Sequence, residues 1–129
     1  GYVGAFSAFL MGLAAGGLSY LAIILKGRFG YDDALDVVGI HGVAGVVGIL
    51  LTGLLASKAV NQGGVDGLLR GNAAFFGAEL LTVVVVGLFS AGMTFVILKF
   101  VDRAVGLRVS SEEERMGLDI SQHNERAYS

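Results

Sequence analysis

The stretch GNAAFFGAELLTVVVVGLFSAGMTFVIL (residues 71–98) carries a single ionisable side chain, Glu79. It exceeds the roughly 18–20 apolar residues needed to cross a ~30 Å hydrocarbon core as a helix. A helix of a soluble bundle would keep a polar stripe, and this one has none. Two further runs read the same way. Residues 1–25 hold no charge, and residues 37–57 hold none besides one histidine, His41. The first run has no basic leader and is too long for a secretory signal. These runs predict spanning helices over about 3–25, 33–56 and 72–105. The fold class is all-α integral membrane.

The rest of the composition agrees. Of 129 residues 54% are apolar and only 16% charged, against roughly 25% in soluble domains. A net charge of −2 leaves no basic surface for nucleic acid. Cysteine is absent, which excludes disulfides, thiol catalysis and cysteine–metal sites. No Walker-type loop, HExxH helix, nucleophile elbow or paired carboxylates occur, so the chain is not expected to be an enzyme or to carry a metal or cofactor. It opens at Gly1 almost inside an apolar run and without an initiator methionine, as a piece of a longer protein would. Residues 1–109 form the expected membrane region. Residues 110–129, rich in acid, cannot enter lipid and form a solvated tail.

Lysine and arginine set the expected topology. Lys26, Arg28, Lys99, Arg103 and Arg108 fall on one side of the membrane, and only Lys58 and Arg70 on the other. The first loop and the C-terminal tail are therefore expected in the cytoplasm, with residues 57–71 outside. Gly39, Gly42, Gly45 and Gly48 recur every third residue, and Gly12, Gly16 and Gly17 do similar work in the first run. Small residues let helix backbones approach closely in lipid. So smooth a helix wants neighbours on several sides, as in a larger bundle or an oligomer.

His41 is the sharpest feature for chemistry. It is either interhelical glue or a pathway residue, because ionisable groups inside membranes commonly mark substrate or proton routes. A neutral imidazole offers one donor and one acceptor nitrogen. On an ideal helix Asp33, Val37, His41 and Gly45 share one stripe. Asp32 and Asp33 read as caps complementing the helix dipole. Asp36 lies deeper than a cap requires; it is expected to accept donors from the adjoining segment and anchor the helix start, with cation binding as the alternative. Glu79 is read as protonated, paired or facing a partner subunit. In the tail, Gly117 allows a sharp turn, and Leu118, Ile120 and Tyr128 offer apolar anchors.

Asp32-Asp33-Ala34-Leu35-Asp36 through His41-Gly42-Val43-Ala44-Gly45 resembles the DDxxDxxxxHGxxG signature of the ammonium transporters (the Amt/Mep/Rh family). Val105-Gly106-Leu107-Arg108-Val109, followed by Glu114–Asp119 and His123–Tyr128, resembles that family's cytoplasmic tail. The resemblance covers essentially the whole chain and implies the last three of eleven spanning helices, in a multi-pass protein of the cell (inner) membrane. It implies that His41 is the second of two pore histidines whose rings touch, that Val37 lines the pore, and that Asp36 anchors the helix start. It further implies a homotrimer serving nitrogen metabolism. The tail, with Gly117, Asp119, His123, Glu125 and Tyr128, would pack on a neighbouring subunit and couple to a PII-type signal protein. The first pore histidine and the outer aromatic gate belong to earlier helices of that family, outside these residues. The expected activity is ammonium or ammonia transport through a narrow apolar pore. The alternative is a non-transporting, membrane-embedded oligomerisation module with a regulatory tail.

Overall fold

A computed structural model describes residues 1–126. It is all-helical, with no strand among the described residues. Three helices are long and apolar enough to cross a membrane: α1 (Ala5–Phe29), α2 (Val38–Leu55) and α3 (Ala73–Val105). Two short helices, α4 (Ser111–Met116) and α5 (Leu118–His123), occupy the charged tail. The chain divides into one compact unit over Gly1–Gly87 and a second beginning at Leu88.

Two helix boundaries differ from expectation. α1 continues through Lys26-Gly27-Arg28 to Phe29, about a turn past the end of its apolar run. Its stop is Gly30, left-handed at φ 67°, whose N–H donates to Lys26 O. Lys26 and Arg28 also suit the negative end of the helix dipole. α2 begins later than the expected residue 33. Asp36 sits at φ 56°, a left-handed conformation that an α-helix cannot contain. The acids therefore precede the helix and do not form its first turn.

In the first unit α1 packs along α2. The buried positions among the described residues are Gly39, Gly53, Ala56, Ser57 and Gly67, all small. Contact here comes from backbones meeting closely, as expected where no hydrophobic drive pulls helices together. Large apolar side chains along α1 and α3 are exposed.

The connection from α2 to α3 closes one end of this unit. Ser57 N–H donates to Tyr2 O at 2.9 Å, and Gly67 N–H to Ala56 O at 2.8 Å. The Arg70 guanidinium donates to Leu55 O and Ala56 O, both at 3.2 Å, and so satisfies carbonyls that the end of α2 leaves without helical partners. Asn72 caps α3 by accepting from Phe75 N–H at 3.1 Å.

Candidate functional site

The approach to α2 is built from three side chains. Asp33 accepts from Val37 N–H with one carboxylate oxygen and from Val38 N–H with the other, both at 2.9 Å. Two of the helix's free donors are thus held by one carboxylate. Asp36 pairs with Lys26 Nζ from the end of α1. The same ammonium donates to Asp33 O at 2.6 Å. Asp36 also continues the backbone, its N–H donating to Asp33 O at 3.1 Å and its carbonyl accepting from Ile40 N–H at 2.8 Å. An aspartate tolerates the left-handed conformation because its short polar side chain can bond locally.

Lys26 was legible only as a topology marker. A lone ammonium closing an apolar helix, a short loop away from three acids, is the signal that could have identified it as their partner.

α2 opens with a π turn, Val38–Val43, that contains His41. A π turn adds one residue to the cycle and occurs mostly as a single bulge inside an α-helix, frequently at functional sites. The ideal stripe of Asp33, Val37, His41 and Gly45 loses Asp33, which lies before the helix as its cap. Val37 and His41 are both exposed on the described chain. Gly39 is the buried residue of the turn and faces α1. Asp36, Val37 and His41 thus come from one continuous segment, held at its start by Asp33 and Lys26.

Glu79 points toward α2. A Cβ placed on Gly53 would lie 3.1 Å from Glu79 Cγ and 3.2 Å from Phe76 Cδ2. Glu79 also lines a cavity of about 380 Å³ with Tyr2, Thr52, Val65 and Phe75.

The tail residues form their own arrangement. Ser110 and Glu113 make a capping box at the start of α4: Glu113 N–H donates to Ser110 Oγ at 3.3 Å, and Ser110 N–H to Glu113 Oε2 at 2.9 Å. Ser110 Oγ–H also donates to Glu113 Oε2 at 2.7 Å, and Gln122 of α5 donates to Glu113 Oε1 at 3.0 Å. The hydrogen bond from the Ser110 hydroxyl, then that from its N–H, hold the Glu113 carboxyl below the usual carboxylate value. Glu113 therefore joins the two tail helices. The spacing Ser-x-x-Glu was its readable signature.

Gly117 turns the chain between α4 and α5 at φ 98°. Asp119 O accepts from Glu125 N–H at 2.9 Å, and His123 ends α5. Arg108 holds the Glu114 carboxylate with two donors, at 2.7 and 3.3 Å. Tyr128 lies outside the described residues.

Comparison with known proteins adds the lineage. A family profile described as Ammonium Transporter Family matches residues 1–128. An ammonium transporter of Bacillus subtilis is 40% identical over 129 residues, 99% of this chain and 32% of that protein. One from Aquifex aeolicus is 46% identical over 129 residues, 99% of this chain and 30% of that protein. Ammonium transporter Amt1 of Archaeoglobus fulgidus is 42% identical over 128 residues, 99% of this chain and 32% of that protein. The chain spans about a third of the length of the curated relatives it matches.

Proposed function

The chain belongs to the ammonium transporter family, and from that premise we propose that the protein carrying it conducts ammonium or ammonia across a membrane, with His41 and Val37 lining a narrow apolar pore. The observation that carries this reading is the exposed His41 in a π turn of an otherwise uncharged helix. Such a residue is costly in lipid and is kept where it serves a path or a partner. Val37, also exposed, supplies an apolar wall beside it.

Ammonium entering such a pore loses its hydration and hands a proton to water at the pore mouth, so that ammonia continues through the apolar section. The His41 imidazole, beside a second imidazole from an earlier helix, replaces lost water hydrogen bonds. A neutral imidazole can both donate and accept. A bare metal cation meets no carboxylate or carbonyl ligands there, so its desolvation goes uncompensated. Asp36 serves as the anchor of the pore helix, through Lys26, and does not bind the cation.

The lysine and arginine distribution supports a C-terminal tail on the cytoplasmic side of the inner membrane, after a spanning region ending near residue 109. In this reading the protein is a homotrimer. Its tail, through Gly117, Asp119, His123, Glu125 and Tyr128, contacts a neighbouring subunit and a PII-type signal protein. The capping box, with the Glu113–Gln122 bond, supports an ordered tail able to present such a surface.

Methylammonium uptake by the full-length transporter tests the pore reading. His41→Ala is expected to change the rate or the ammonium-over-methylammonium preference while membrane insertion stays normal. Wild-type rate and preference would overturn it.

A further inference from the structure

Gly39 is the point at which the π turn rests on α1. A Cβ built on it would lie 2.9 Å from Ile23 Cγ1, 3.5 Å from Ile23 N and 3.6 Å from Ser19 O. The two backbone distances are ordinary van der Waals contacts. Only the Ile23 side chain stands in the way of a methyl group. His41, two residues on, lies about half a turn from Gly39. The face that touches α1 and the face that presents the imidazole are therefore opposite sides of one turn.

A π turn is less favourable than α-helix and persists only where its surroundings hold it. Relaxing it to α geometry would rotate one flank against the other by about one residue, roughly 100°. Asp33 and the Lys26–Asp36 pair anchor the chain ahead of the turn. Within the turn itself the buried contact with α1 lies at Gly39, against Ile23 and Ser19.

We propose that Gly39 is a positioning residue for His41: its close contact with Ile23 and Ser19 fixes the direction in which the π turn presents the imidazole. It touches no substrate and acts through His41. The inference rests on the reading of His41 as a pore residue. A methyl at position 39 has to displace Ile23 Cγ1 or move the turn off α1, by about the 0.5 Å within which a functional side chain has to be held.

The test is methylammonium uptake by the full-length transporter, divided by the amount of protein inserted in the membrane. Gly39→Ala is expected to lower uptake per molecule about tenfold or more. Ile23→Ala removes the Cγ1 that the new methyl would meet, so Gly39→Ala combined with Ile23→Ala is expected to recover to within about threefold of wild type. A purely stabilising glycine would change the amount inserted and leave uptake per molecule alone. Normal uptake per molecule for Gly39→Ala overturns the proposal, as does a loss that Ile23→Ala fails to relieve. Should Gly39→Ala not insert, an inserted and active double variant supports the proposal, and a double variant that also fails to insert overturns it. His41→Ala, measured alongside, separates the two claims. Wild-type uptake by that variant defeats the pore reading itself, whereas normal Gly39→Ala uptake beside a defective His41→Ala defeats only the role of Gly39.

Discussion

The start of α2 and the start of α4 solve one problem with the same chemistry in different surroundings. Each helix start is held by a carboxylate that accepts from backbone N–H, from two donors at α2 and from one at α4. At α2, Asp33 takes two donors while Asp36 pairs with Lys26 at the end of a membrane-spanning helix. At α4, Glu113 and Ser110 cap each other in an exposed segment. Water can replace a lost partner at α4. At the edge of an apolar bundle the orphaned group is costly to leave unmade. Similar chemistry should therefore carry unequal energy, and of the two helix starts only that of α2 includes a left-handed non-glycine residue, Asp36.

The largest expected effect comes from Asp36. Alanine there removes the charged partner of Lys26 and must still adopt the left-handed conformation, which costs an alanine roughly 1–2 kcal/mol. Unfolding of the purified transporter in denaturing detergent should show Asp36→Ala well below wild type and Asp36→Gly between them. Glycine relieves the backbone and not the missing carboxylate. Equal stability of all three would mean that the Lys26 pair contributes nothing and that the two helix starts are alike.

Asp33→Ala should come next, at about 2 kcal/mol, because two N–H groups lose their acceptor together. The same detergent unfolding measures it. Asp33→Asn, which keeps one acceptor oxygen, should recover part of the loss.

The tail should respond least, and only to acid. Its hydrogen bonds with Ser110 lower the folded-state pKa of Glu113. The cap's contribution is therefore fully present above the ordinary carboxylate value, near 4.5, and is lost as pH falls through the lower folded value. Amide exchange in α4 and α5, corrected for its intrinsic pH dependence, should hold steady from neutral pH down to about pH 5 and rise below that. Glu113→Gln should remove the acid-dependent step. A tail whose exchange already matches free peptide at pH 7 would contradict the ordered network.

Much of this architecture was legible in the residues. Uncharged runs around His41 and Glu79 announce spanning helices because a charge inside hydrocarbon is costly whatever the fold. The acids before α2 announce capping for the same elementary reason. The π turn was not legible: inserting one residue into a helical cycle alters neither composition nor hydropathy. The link from Asp36 to Lys26 was hidden as well. It depends on α1 running on past Leu25 to Phe29, and a run of Lys-Gly-Arg looks like a helix end when judged by polarity alone. Glu113 is the opposite case. Its Ser-x-x-Glu spacing was readable, but three consecutive glutamates look like simple solvation until one of them is seen to hold both Ser110 and Gln122.

In the proposed function one short segment divides its labour, with Asp36 holding the helix start and His41 serving the path. Uptake of methylammonium per inserted molecule, compared between His41→Ala and Asp36→Ala in the full-length transporter, tests that division most directly. His41→Ala should insert at wild-type level and show altered uptake per molecule. Asp36→Ala should insert poorly, yet the molecules that do insert should transport at close to the wild-type rate. The reverse pattern, with normal uptake lacking His41 and none from well-inserted protein lacking Asp36, would make Asp36 the cation ligand and contradict the account.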